Sequence, residues 1–279
     1  QRMLLETPPS GLAELRHARA IARPVIERAL ARPDGFLTDP EVRTVLAAYG
    51  IPAIENVLAA DPAAAAQAAV RLGFPVALTY ASPDVPRKWD VGGVALNLQS
   101  PEAVRVAAES MLARVSLTAP HARFDGLGIQ SMALRPHARQ LMIGIACDRL
   151  FGPVLVFGEG GRAVEVVRDH ALALPPLNRP LARHLIALTR VARRLEAQGM
   201  RPAADVDAIA DALVAVSALL TDNPEIVACD VNPLFADELG VLAVDARIRV
   251  APLDQSDQRR VSIRSYPGET EEAVVLRDG

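Results

Sequence analysis

The chain has 279 residues, of which 51% are hydrophobic, so it is long enough to bury a core in one or two domains. Its formal net charge is −3 and it has no basic run, which argues against nucleic acid as a partner. No apolar run reaches the roughly 18 residues of a membrane-spanning helix, and no signal peptide is visible, so no membrane association is expected.

The first part of the chain alternates helices and strands. Thr38-Asp-Pro-Glu41 is a capping box, and Asp61 and Ser100 each stand before a proline at the start of an apolar-periodic segment. These signals predict helices that begin at those residues, and Pro24 is expected to kink or split an earlier helix. Strands are predicted at residues 51–58, 74–80 and 92–98.

The second part begins with a run of short strands. Strands are predicted in close succession at residues 127–134, 140–147, 154–157 and 164–167, which favours a mostly antiparallel sheet. Asn178 is predicted to cap a helix that runs to about residue 198, and Asp205 a second helix to about residue 220. Two further strands, 226–231 and 241–244, flank a predicted loop at 233–240.

The alternation predicts an α/β chain made of two α+β lobes with a cleft between them. We expect a hinge near residues 120–133 and a cleft lined by Gln130, Met132, Asn232 and Asp245. The predicted segments are an N-terminal extended segment and helix (1–35), a first lobe (36–120), a second lobe (121–252) and a C-terminal linker (253–279).

Two cysteines, Cys147 and Cys229, lie in predicted apolar strands. That placement fits buried thiols in a reducing cytoplasm better than a disulfide. Because the chain starts at Gln1, we expect it to be a fragment of a longer protein.

Oxygen-bearing side chains meet near the end of the strand at 226–231. The two-residue period of a strand places Ala228, Asp230 and Asn232 on one face, and Asp245 returns beside Asn232 if the two strands pair. Two carboxylates and an amide oxygen form the kind of site that Mg²⁺ prefers. The alternative is a polar strand end with a solvated carboxylate.

This stretch carries a family resemblance. Asp230-Val-Asn232-Pro-Leu and Val-Asp245-Ala-Arg resemble the metal-binding end of an ATP-grasp domain. More narrowly, they are similar to the nucleotide subunit of ADP-forming acyl-CoA synthetases, relatives of succinyl-CoA synthetase. The resemblance implies an ATP-grasp fold that binds ATP or ADP with Mg²⁺, the metal being held by Asp230, Asn232 and Asp245.

The segment at residues 77–94 resembles the family's phosphate motif, in which a lysine and Ser-Pro-Asp precede His-Lys-Ser-Asp-Val-Gly-Gly-Val. Glycine lets backbone N–H groups approach phosphate closely, although a glycine pair also suits an ordinary turn into a strand. The cationic side chains here either bind phosphate or are solvated loop charges. The residues implied to bind nucleotide in this motif are Thr79, Arg87, Lys88, Asp90, Gly92 and Gly93.

Further family positions follow along the chain. Gln130, Met132 and Ala133 lie in a segment that resembles the family's hinge strand, where the adenine rests against backbone. Gln140 stands where the family usually has a glutamate near the nucleotide. The glycines of Phe157-Gly-Glu-Gly-Gly161 are implied either to close over nucleotide or to turn the chain.

Four positions depart from the family pattern. Thr79 replaces a lysine that contacts phosphate, and Arg87 replaces a histidine that relays the phosphoryl group. Arginine stays protonated and cannot accept a phosphoryl group. Gln140 and Ala228 both stand where glutamate is usual. We therefore assign no catalytic residue and expect a domain that keeps the fold, and with it nucleotide affinity, without full turnover.

Residues 265–279 resemble the linker into a GNAT domain in large bacterial protein lysine acetyltransferases. That resemblance implies two partners in the same polypeptide, a CoA-binding acyl-CoA synthetase-like domain and a GNAT domain, and leaves a homo-oligomer open. The first functional hypothesis is a regulatory ATP-grasp domain. The second is a working ADP-forming acyl-CoA (acetyl-CoA) synthetase nucleotide subunit, and the third is a scaffold that binds nothing.

Overall fold

The computed structural model describes residues 17–82, 84–85, 88–148, 151–161 and 169–253. The chain forms two compact units. The smaller is Ile54–Leu134, and the larger joins Gln1–Ala53 to Arg135–Gly279. In chain order, the helices and strands of the described residues are α1 (Ala18–Leu30), α2 (Asp39–Ala48), β1 (Asn56–Ala59), α3 (Pro62–Leu72), β2 (Val76–Ala81), β3 (Val94–Leu98), α4 (Pro101–Thr118), β4 (Gly126–Ser131), β5 (Arg139–Asp148), β6 (Gly152–Glu159), β7 (His170–Ala173), α5 (Arg179–Ala187), α6 (Ala192–Leu195), α7 (Val206–Asp222), β8 (Ile226–Asp237), β9 (Gly240–Ala243) and β10 (Ala246–Val250).

The smaller unit is an antiparallel four-stranded sheet in the order β1-β4-β2-β3, with α3 and α4 packed on it. Both helices begin where the sequence predicts. The Asp61 carboxylate accepts the Ala64 N–H at 2.8 Å, and the Ser100 hydroxyl accepts the Ala103 N–H at 3.1 Å. Each cap satisfies one of the orphan donors of a helix N-terminus. The core of this unit includes fully buried Met111.

The larger unit contains an antiparallel sheet in the order β10-β8-β5-β6-β7, and β9 pairs with the second half of β8. Its main core joins the inner sheet face to α7, whose sequence is apolar almost all round. Helices α1 and α2 pack against β10, and the Leu37 N–H donates to the Ile248 carbonyl at 3.0 Å. Pro24 lies inside α1, which runs as one helix instead of splitting.

The strand run after residue 126 differs from the prediction. The sequence pattern groups residues 127–134 with the strands that follow, but β4 pairs with β1 and β2 in the smaller unit's sheet. Strand pairing depends on partners distant in sequence, so succession along the chain misassigned β4. The strand predicted at 164–167 lies outside the described residues, and β7 at His170–Ala173 was not predicted.

The predicted loop at residues 233–240 was wrong. Strand β8 continues through Pro233 to Asp237, because its second half pairs with both β5 and β9. Only a tight turn separates Asp237 from Gly240. The helix predicted at 178–198 is also two helices, since the chain leaves helical geometry between α5 and α6. Among the described helices, none is long and apolar enough to cross a membrane.

Candidate nucleotide and metal site

The residues of the predicted oxygen site lie in the larger unit, on β8 and in the bend just before β10. The Asn232 N–H donates to the Asp245 carbonyl at 2.9 Å, which confirms that Asp245 returns beside Asn232. Asp230 is paired across β8 with Gly144 on one side and Arg247 on the other. The alternation is as predicted, because Cys229 is buried under the sheet while Asp230 is exposed.

The carboxylates of Asp230 and Asp245 repel each other electrostatically. Although Asp230 has solvent access, the surrounding protein partly desolvates its carboxylate and raises its pKa, and the negative charge of Asp245 raises it further. Arg247 acts in the opposite direction. A divalent cation between two mutually repelling carboxylates would relieve that repulsion, so the donor set fits a hard metal ion.

Asn232 supplies the third donor. Within the described ranges, no three His, Cys, Asp or Glu side chains converge to hold a metal, so a cation here would have two carboxylates and one amide as protein ligands. The Asn232 Oδ1 accepts the Gly161 N–H at 2.7 Å. A carbonyl oxygen has two lone pairs, so one remains for a cation.

Gln140 lies beside the same residues. Its carbonyl accepts the Gly160 N–H at 2.8 Å, and its side chain lies across the Cα of Gly161, since a Cβ added there would be 1.9 Å from Oε1. The larger unit therefore brings Gln140, Asn232 and Asp245 of the predicted site together. The sequence analysis left Gly161 as a lid or a turn and missed its bond to Asn232, because no local signal links residues 71 positions apart.

The glycine pair of the phosphate motif lies in the smaller unit, in a tight turn before β3. The Gly93 N–H donates to the Lys88 carbonyl at 2.7 Å, and the Gly92 N–H donates to the Trp89 carbonyl at 3.1 Å. Gly92 has φ of 68°, a conformation that glycine adopts without strain. Both N–H groups are thus hydrogen-bonded inside the turn in this conformation. Whether this turn binds phosphate or only leads into the strand is not decided by these bonds, and the role of Gly92 and Gly93 in nucleotide binding stays a prediction.

The cationic part of the motif is only partly described. Lys88 is half-buried and Asp90 is exposed, while Arg87 lies outside the described residues. Thr79 is half-buried in β2, with its hydroxyl 3.5 Å from the Gly128 carbonyl. A Cβ at Gly128 would be 2.6 Å from that hydroxyl, so Thr79 is closely packed.

The predicted hinge residues lie at and just after the end of β4. Gln130 is paired with Asn56 and Ala77 across the sheet. The Met132 N–H donates to the Pro75 carbonyl at 2.9 Å, so this N–H is already hydrogen-bonded within the protein. Met132 and Ala133 are half-buried. A role in adenine binding for these three residues stays a prediction.

The chain matches the ATP-grasp domain family over residues 28–250. It is also 34% identical over 232 residues to the acetate–CoA ligase [ADP-forming] I subunit beta of Pyrococcus furiosus, a match that covers 82% of this chain and 97% of that subunit. The chain belongs to the ATP-grasp beta-subunit family of ADP-forming acetate–CoA ligases. Its predicted fold class, α/β with an ATP-grasp fold, is confirmed.

Other relatives of this ATP-grasp domain are longer. The acetate–CoA ligase [ADP-forming] I of Archaeoglobus fulgidus is 36% identical over 231 residues, which is 82% of this chain but 33% of that enzyme. The chain therefore spans about a third of the length of this relative.

A solved structure agrees with the fold. The dinucleotide-forming acetyl-coenzyme A synthetase 1 of Ca. Korarchaeum cryptofilum, in complex with coenzyme A, Ca-AMPCP and HgCl⁺, has a TM-score of 0.76 and 34% identity, covering 82% of this chain and 99% of that one. Another structure of the same protein, with a TM-score of 0.68 and 32% identity over 82% of this chain and 99% of that one, holds coenzyme A and Mg-AMPPCP.

Proposed function

We propose that this ATP-grasp domain binds ATP or ADP with Mg²⁺ as the nucleotide-binding part of an ADP-forming acyl-CoA synthetase-like protein. The observation that carries the proposal is the placement of Asp230 and Asn232 on β8 beside Asp245 in the bend before β10, where desolvation and the charge of Asp245 both raise the pKa of the Asp230 carboxyl. The magnesium nucleotide analogue held by a relative of 32% identity supports it.

The three side chains have distinct tasks in this proposal. The carboxylates of Asp230 and Asp245 supply negative charge to the cation, and the Asn232 Oδ1 supplies a neutral oxygen. A Mg²⁺ ion held by these residues would offset the negative charge of the nucleotide's phosphates. In the relatives' reaction class, acid, CoA and ATP exchange with acyl-CoA, ADP and phosphate, and this domain would hold the nucleotide.

The Thr79 environment favours a second candidate, in which the domain binds nucleotide without turnover and regulates an attached catalytic domain. Thr79 is uncharged and packed against Gly128 where the family carries a phosphate-contacting lysine. The tail at 265–279, which resembles a linker into a GNAT domain, would make that catalytic domain a lysine acetyltransferase, with a CoA-binding domain as the other partner.

Calorimetric titration of the chain with ADP tests the nucleotide proposal. We expect heat of binding in Mg²⁺ buffer and weaker binding when EDTA removes the metal. A chain that takes up no ADP under either condition would refute the proposal and favour the scaffold hypothesis.

A further inference from the structure

Gly161 is in direct contact with the candidate metal ligand Asn232. It lies two residues past the end of β6, and its N–H donates the 2.7 Å hydrogen bond to Asn232 Oδ1. The preceding Gly160 donates to the Gln140 carbonyl at 2.8 Å, which holds this segment against β5. The segment therefore reaches the oxygen site through backbone atoms.

The backbone conformation at Gly161 and the space around it both favour glycine over residues that have a side chain. The φ of 69° at Gly161 lies in the left-handed region that favours glycine. A Cβ would also be 1.9 Å from Gln140 Oε1 and 3.0 Å from its Cδ, so any side chain would have to displace the Gln140 amide. Gly160 is equally constrained, because its Cβ would be 2.1 Å from the Leu141 carbonyl oxygen.

The hydrogen bond fixes which atom Asn232 presents at the site. An amide side chain can place either oxygen or NH₂ at a given point. The Gly161 N–H is a donor, so it can pair only with the oxygen of the Asn232 amide and not with its NH₂ group. The remaining lone pair of that oxygen is then available to a cation, and the side chain loses rotational freedom before any ligand arrives.

We propose that Gly161 is a positioning residue for nucleotide-bound magnesium: its N–H holds Asn232 Oδ1, and its missing Cβ lets Gln140 close over it. The inference rests on the proposed function and deepens it. Groups that orient metal ligands contribute strongly to metal affinity, and their loss typically costs about 10- to 100-fold.

The test compares Gly161→Ala with Gly199→Ala. Gly199 has φ of 59° and lies in the same unit, but a Cβ there meets no atom within 4 Å. Both variants carry left-handed backbone strain, but only Gly161→Ala places a methyl against Gln140 in the segment whose N–H holds Asn232. The readout is the ratio of ADP affinities with Mg²⁺ and with EDTA. We expect Gly161→Ala to lower the ratio by about 10-fold or more and Gly199→Ala to leave it unchanged.

A double variant tests the part of the proposal that concerns the missing Cβ of Gly161 and the Gln140 side chain. If the alanine methyl acts by displacing the Gln140 amide, Gly161→Ala combined with Gln140→Ala should recover part of the lost Mg²⁺ dependence. Gln140→Ala alone measures the direct contribution of Gln140 to affinity. No recovery would overturn the role given to Gln140.

Hydrogen exchange keeps the inference testable if Gly161→Ala fails to fold. We expect the Gly161 amide to be protected in the ligand-free chain and in Asn232→Asp, which keeps an oxygen acceptor, and to lose protection in Asn232→Leu. Equal protection in all three would overturn the hydrogen bond. A Mg²⁺ ratio unchanged by Gly161→Ala would overturn the inference alone, whereas a wild-type chain without Mg²⁺-dependent ADP binding would overturn the proposed function as well.

Discussion

Asn232 and Asp245 are joined by a 2.9 Å hydrogen bond from the N–H of the first to the carbonyl of the second. This backbone bond fixes the place where β8 and the segment before β10 run side by side. Because it does not involve the side chains, the Asn232 amide and the Asp245 carboxylate are left for other partners. The backbone bond therefore holds Asn232 and Asp245 side by side without using the side-chain oxygens that would bind a cation.

Glu41 predicts a pH-dependent contribution to stability. Hydrogen bonds from Arg32, and then from the N–H and hydroxyl of Thr38, together lower the pKa of its carboxyl from the ordinary 4.5 to about 2, against the effect of burial. A depressed pKa stabilises the fold above the unfolded-state value, and this stability is lost as pH falls from about 4.5 through about 2.

We expect Glu41→Gln to reduce the free energy of unfolding at neutral pH by about 1–2 kcal/mol, because it removes the ion pair and weakens the helix cap. Urea unfolding at pH 7 and pH 3 measures the change, which should shrink at the lower pH. Glu109→Gln is the control, since Glu109 pairs with Arg105 on an exposed helix face and should cost little. Equal losses in both variants at pH 7 would contradict the account.

We expect the loss of the Asp169 carboxylate to reduce the free energy of unfolding more than the loss of the Glu41 carboxylate does. The buried carboxylate of Asp169 accepts the N–H of Arg190 at 2.8 Å and the N–H of Val191 at 2.7 Å, just before α6. Asp169→Ala leaves these donors without their acceptor, and we expect it to reduce the free energy of unfolding by about 2–4 kcal/mol. Hydrogen exchange should show faster exchange at Arg190 and Val191. Unchanged exchange there would mean that other groups hold α6.

The local signals of this chain predicted its helix starts well. Asn178 and Asp205 accept the N–H of Leu181 and Ala208 as their positions at predicted caps imply. These motifs succeed because cap and donor are three residues apart.

The features that the sequence does not predict depend on partners distant in the chain. The sequence predicts that a strand ends before Pro233, yet β8 continues through Pro233 because it pairs with β5 and β9. In the break after α5, the Arg190 N–H donates to the carboxylate of Asp169, which lies 21 residues earlier in the chain. In the candidate site, the sequence predicts the return of Asp245 beside Asn232 on condition that two apolar runs pair, but it does not predict the contact with Gly161.

The regulatory candidate makes its own prediction about turnover. With the whole parent protein, ATP, CoA and short carboxylic acids, it expects no acid-dependent ADP formation, because Thr79 supplies no charge and Arg87 accepts no phosphoryl group. Thr79→Lys combined with Arg87→His should raise ADP formation, and each single change should do so less. A single missing phosphate contact costs tens to hundreds-fold in rate, on the order of 2–4 kcal/mol. Ordinary turnover by the unaltered protein would instead support the synthetase function.

The most direct test of the metal site is the ADP affinity of Asp245→Ala in Mg²⁺ and in EDTA, measured by calorimetry beside the wild type. Asp207→Ala is the matched control, because it removes one exposed carboxylate that pairs with Arg183 in the same unit. The account predicts that Asp245→Ala binds ADP equally in both buffers, at the wild-type affinity in EDTA, while the control keeps the full Mg²⁺ effect. An Asp245→Ala chain that retains the wild-type gain from Mg²⁺ would contradict it and leave the oxygen cluster as a solvated strand end.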